Sequence, residues 1–79
     1  MALDTKTIGE LLHEAGLSNR EVGKLSGVAP LTLHGYEHGL VQRPGRHVVL
    51  RLSQLLNLSP ADVLAACVES IRRAREGQS

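Results

Sequence analysis

An all-α fold, a compact bundle of five short helices, is predicted by three features of this sequence. Apolar residues recur at three- and four-residue spacing along most of the chain. Residues that start and stop helices punctuate that pattern five times. The apolar residues are also nearly all aliphatic. Of 79 residues 42% are hydrophobic, yet there is one Tyr, no Phe and no Trp. A core of Leu, Val and Ala suits a small single domain of packed helices. It offers no aromatic platform for stacking single-stranded bases, which argues against a single-strand binder.

Residues 1–6 are polar and expected to be a flexible N-terminus; the domain is expected over 7–75, with 76–79 a flexible tail. Thr7 can cap a first helix, with Glu10 three residues on completing a capping box. Ile8, Leu11, Leu12 and Ala15 give its apolar face, and Gly16 closes it. His13 on this helix has no second ligand-type residue one turn away, so a surface role is expected.

Residues 18–39 read as two helices joined by a tight turn. Ser18 and Glu21 form a second capping box, and Val22 and Leu25 supply an apolar edge. Gly27 ends the helix, being the residue best able to take positive φ. The next helix, about 30–38, starts with Pro30 in its first turn, where a missing N–H costs nothing. Leu33 and Tyr36 face inward, and Gly39 stops it. Gly23 sits in mid-helix at a cost of about 1 kcal/mol against Ala, which close crossing of the two helices would explain.

A loop marked by Pro44-Gly45 follows, then a fourth helix from about Arg46 to Leu56 with Val49, Leu52, Leu55 and Leu56 inward. Asn57 suits a left-handed turn. Ser59-Pro60-Ala61-Asp62 supplies a cap, a proline at N1 and an acid at N3. The fifth helix, about 60–75, has Val63, Leu64, Cys67, Val68 and Ile71 on one side. Arg72, Arg73 and Arg75 near its end complement the helix dipole. This helix is longer than the core needs. Val68 and Ile71 are expected to pack against a second copy, with folding back over the bundle as the alternative.

The residues Gly23, Gly27, Val28, Leu33 and Tyr36-Glu37-x-Gly39 resemble the helix-turn-helix of the Cro and lambdoid phage-repressor family. The likeness runs over roughly residues 7 to 65. Gly39-x-x-x-Arg43-Pro44 resembles the loop after the recognition helix in such repressors, and Leu56-Asn57-Leu58-Ser59 the turn between the last two helices. The resemblance implies a bacterial or bacteriophage regulator, a repressor or Cro-like protein binding double-stranded DNA in the cytoplasm without cofactor. It also implies dimers on paired half-sites and a second helix lying in the major groove.

Carried over position by position, the family's roles put Asn19 on a phosphate and Gln42, Arg43 and Arg46 in the loop that grips the backbone. Thr32, His34 and His38 fall on or near the outer side of the recognition helix. Pro30, Leu31 and Gly35 stand where the family places Gln, Ser, Arg or Lys. None of the three can make a bidentate hydrogen bond to a base. Leu31 can touch a thymine methyl, and Gly35 would let the helix backbone come close, leaving much specificity to DNA shape.

Charge is weak overall and uneven along the chain. The formal net charge is +1, so no global basic field marks a nucleic-acid partner. Residues 40–51 nevertheless hold Arg43, Arg46 and Arg51 with no acid. A solvated loop gives the same pattern as a phosphate-binding one, so the cluster alone decides nothing. Leu31, with Leu40 and Val41, also makes an apolar patch of the kind that binds protein. The alternative function is therefore an interaction or anti-repressor module on the same fold.

Other classes are excluded more simply. Cys67 is the only cysteine, so no intramolecular disulfide forms, and a buried inert thiol is expected. No apolar run approaches 18 residues and no leader or lipidation motif is present, so a soluble intracellular protein without membrane contact is expected. His34 and His38 have i, i+4 spacing, but no Cys or acid completes a set, and no metal site is expected. There is no nucleophile–base arrangement and little volume for a pocket, so no catalytic residues are assigned and an enzyme is not expected.

Overall fold

The computed structural model describes residues 5–41 and 43–77. Five helices occur among the described residues: α1 (Ile8–Glu14), α2 (Asn19–Ser26), α3 (Pro30–Glu37), α4 (Arg46–Leu56) and α5 (Pro60–Gly77). No strand occurs among the described residues. α5 is the spine, packing against α1, α3 and α4, while α2 packs on α3 and α4.

The starts and stops are chemical. Thr7 Oγ1 accepts from the Glu10 amide while the Glu10 carboxylate accepts from the Thr7 amide, and Ser18 with Glu21 repeats the arrangement. Both carboxyls are consequently held below the usual carboxylate range, chiefly by those backbone N–H donors. Gly27 (φ 79°) and Asn57 (φ 57°) take left-handed backbone at the ends of α2 and α4. The Ser59 hydroxyl accepts from the Asp62 amide to open α5.

The core is aliphatic, with Ile8, Leu12, Val22, Leu33, Leu52, Val63 and Cys67 closed to solvent and Tyr36 the one aromatic among them. The Cα radius of gyration is 11.6 Å. That equals the roughly 11.6 Å expected of a compact chain of this length, so the lack of large rings leaves no swelling. Burial pushes the Cys67 thiol up to about 12, which makes it unreactive.

Several faces turn otherwise than the spacing suggests. Leu25 is 64% exposed. The inner row of α2 is instead Val22 with Ser26, whose hydroxyl donates to the Val22 carbonyl and accepts from the Val28 amide. Ala15 is exposed too. In α5 the inward stripe is Val63, Ala66, Cys67, Ser70 and Ile71, a strict i, i+3, i+4, i+7, i+8 pattern. Leu64 and Val68 lie on its flank, 44% and 48% exposed.

Ile71 is therefore a core residue of its own chain, 5% exposed, and is withdrawn from any dimer contact. α5 also continues through Glu76 and Gly77, past the expected end at 75. Before α1, Lys6 pairs with Glu14 at 2.6 Å, and the Thr5 carbonyl accepts from Arg73 Nη2 at 2.8 Å.

Candidate nucleic-acid interface

α2 and α3 pack against one another across the turn at Gly27. A side-chain carbon on Gly23 would sit 3.2 Å from the Val28 carbonyl oxygen and 3.3 Å from Pro30 Cδ, so a larger residue there would press the turn to shift by a few tenths of an ångström. Arg51 Nη1 donates to the Ser26 carbonyl at 3.0 Å, placing a cation on the C-terminal end of α2. Residues 18–39 thus form a two-helix unit braced from behind by α4.

The outer side of α3 carries Leu31, His34 and His38, which share one stripe at i, i+3 and i+7. Leu31 is 77% exposed, an unusual state for a leucine at the start of a helix otherwise packed on its neighbours. The His34 and His38 rings lie with centroids 4.1 Å apart. Among the described residues no group of three metal-binding side chains gathers. Pro30 is exposed at N1 and Thr32 is half-buried beside it.

Gly35 does not belong to this stripe. It is buried, and a carbon added there would meet Val41 Cγ1 at 3.6 Å. The chain folding back after α3 covers it, so it offers no backbone approach to a base. Val41 is likewise packed against the core and drops out of the exposed apolar patch. Leu40 stays in it, 69% exposed.

Beyond α3 the chain reaches the arginine loop. Arg43 and Arg46 are exposed, and neither has a hydrogen-bond or ionic partner among the described residues. Pro44 between them is buried, and the Gly45 amide donates to the Tyr36 hydroxyl at 3.3 Å, anchoring the loop to α3. Burial raises the Tyr36 phenol above its ordinary value, partly offset by that amide. Gln42, the third expected loop contact, lies outside the described residues. Asn19 is half-buried at the first position of α2.

Two features of this face were missed in the sequence. α3 and α4 start at Ala29 and Gly45 without a side-chain cap, whereas α1, α2 and α5 are capped by Thr7, Ser18 and Ser59. Both starts carry the positive end of a helix dipole, but at α3 Pro30 has no N–H and the Thr32 amide donates to the Ala29 carbonyl at 3.0 Å. The signal was visible as the absence of Ser, Thr, Asp or Asn before Pro30 and Arg46. Arg51, counted with the loop by proximity in sequence, belongs to the turn instead. Its outward position on α4, between Val49 and Leu52 on the buried face, was the available clue.

Residues 7–66 match a family model described as a helix-turn-helix domain. The chain belongs to this helix-turn-helix family. No curated protein and no solved structure matches it. The second helix of the motif in this member is α3.

A shallow apolar groove of about 540 Å³ lies beside the arginine loop, between α4 and the start of α5. Pro44, Leu50, Pro60, Leu64 and Val68 line it, with Arg43 and Arg46 at its edge. Among the described residues no helix is long and apolar enough to cross a membrane.

Proposed function

We propose that this helix-turn-helix protein is a DNA-binding transcriptional regulator, a repressor or Cro-like protein of bacterial or phage origin acting in the cytoplasm. α3 docks in the major groove of duplex DNA, and Arg43 and Arg46 hold phosphates. The observation that carries this reading is the exposed pair Arg43 and Arg46, which have no hydrogen-bond or ionic partner among the described residues, set beside the uncapped start of α4. Cations and the positive end of a helix dipole together suit phosphate oxygens.

Direct base reading is sparse. Leu31 meets a thymine methyl, His34, His38 and Thr32 add polar contacts, and Asn19 meets a phosphate at the motif's start. Much of the specificity then rests on DNA shape. No cofactor and no catalytic step enter this function.

A dimer on two half-sites fits the exposed apolar flank of α5. Val68, with Leu64 and Leu50 beside it, takes the role first given to Val68 and Ile71. Sedimentation should show a self-associating wild type and a monomeric Val68→Glu variant; a wild type monomeric at high concentration overturns the dimer.

The exposed Leu31 and Leu40 favour a second reading, a protein-interaction or anti-repressor module. Gel-shift titrations of the protein against duplex fragments of its native neighbouring DNA separate the two. Shifts that weaken with salt support the regulator. No shift at low salt, together with a host protein captured by the wild type and lost in Leu31→Asp, establishes the alternative.

A further inference from the structure

The family match ends at residue 66, inside α5, but the helix continues to Gly77. This continuation is anchored along its length. Ser70 Oγ accepts from the Ile8 amide at 2.9 Å in a buried position, and Ile71 enters the core. Arg73 reaches Glu10 at 3.2 Å and the Thr5 carbonyl at 2.8 Å. The far end then lies against the chain that leaves α3.

Two contacts are made there. Gly39, at φ 67°, sits so close under α5 that an added carbon would be 3.2 Å from Arg75 Cγ and 3.3 Å from Ala74 Cβ. Arg75 Nη2 donates to the Val41 carbonyl at 3.3 Å. Between them Leu40 N–H donates to the Gly35 carbonyl at 2.9 Å, and Val41 covers Gly35. The exit path from the recognition helix is therefore held on one side by α3 and on the other by α5. Arg43 follows two residues later.

We propose that residues 70–77 of α5 act as a strap that sets the path of the recognition-helix exit, with Arg75 the positioning residue for the Arg43 phosphate contact. The phosphate role of Arg43 rests on the DNA-binding reading above; the strap on the exit path does not. The physical logic is preorganisation. A loop ordered before DNA arrives loses less conformational freedom when Arg43 engages a phosphate. Arg75 touches no DNA in this arrangement and acts through the Val41 carbonyl.

The test is a double-mutant cycle on the full chain, joined to amide hydrogen exchange without DNA. Arg75 is exposed, so Arg75→Ala should leave the thermal midpoint near wild type while exchange at the Leu40 amide accelerates. On a duplex fragment, Arg75→Ala should flatten the log–log salt slope toward that of Arg43→Ala, by at most about 0.9. The double variant should bind no more weakly than Arg43→Ala alone, and Arg75→Lys should keep most of the wild-type slope. Additive losses in the cycle overturn the positioning role, because Arg75 would then act independently of Arg43. Unchanged Leu40 exchange in Arg75→Ala overturns the strap itself. A wild type that binds no duplex defeats the DNA reading and with it the positioning role, while the exchange experiment still decides the strap.

Discussion

Among the described residues Arg43 and Arg46 have no hydrogen-bond or ionic partner, whereas Arg72, Arg73 and Arg75 each end on a carboxylate or a backbone oxygen of their own chain. The two groups are equally basic in sequence and opposite in use. In α5 the guanidinium forks close on Glu69, Glu76, Glu10, Thr5 and Val41, joining that helix to α1 and to the exit of α3. In the loop, Arg43 and Arg46 form no ion pair among the described residues, and both are exposed. Basic residues spent internally stabilise geometry; those left open are available to a polyanion. Distribution therefore matters more here than a net charge of +1.

This contrast can be broken at several points. The largest effect on the α5 side is expected from Ser70→Ala, which leaves the buried Ile8 amide without its acceptor. Chemical denaturation should show a loss of about 1–3 kcal/mol that is indifferent to salt. On the loop side, removing both Arg43 and Arg46 should flatten the log–log salt slope of DNA binding by about 1.8, two contacts at about 0.9 each. Between 50 and 200 mM salt the double variant would then lose affinity roughly tenfold less steeply than wild type. Arg72→Ala should leave that slope untouched, and a slope reduced as far as the loop variants' would erase the distinction.

Acid supplies a subtler probe of the α5 network. Hydrogen bonds from Arg72 and then Arg73 hold the Glu69 carboxyl at about 2, against an ordinary 4.5. A depressed folded-state value means the network's contribution is fully present above about 4.5 and drains away as pH falls toward about 2. Thermal melts across that window should show wild type losing stability, with Glu69→Gln less sensitive over the same range. The smallest effect concerns the recognition helix. Leu31→Ala should relax preference for thymine at one position while the salt slope stays nearly constant, as read by competition gel shifts.

Local chemistry was the legible part of this chain. The capping boxes at Thr7 and Ser18, the left-handed Gly27 and Asn57, and the bounds of α4 all depend on residues a few positions apart. Choices between neighbouring helical rows were not. Leu25 and Ser26 both lie within a turn of Val22, and only the crossing of α2 against α3 and α4 selects Ser26 for the inside. The same ambiguity put Leu64 and Val68 with Ile71, which α5 divides between flank and core. On α3, the outward placement of Leu31, His34 and His38 comes from the family resemblance, which put the half-buried Thr32 there as well. The burial of Gly35 was not legible, because its cover, Val41, arrives from a loop whose path no local spacing encodes. Arg51 could be set apart from Arg43 and Arg46 by its position on α4, but not its acceptor, Ser26, which is 25 residues away.

Tyr36 is the sole aromatic side chain among Phe, Trp and Tyr, and it is nearly closed to solvent. Its hydroxyl accepts from the first residue before α4, at the joint between α3 and the arginine loop. All tyrosine absorbance and fluorescence of this chain thus originates at a single hinge next to the face that would meet DNA. Light reports here on one place, so a spectral change on titration localises itself without any label.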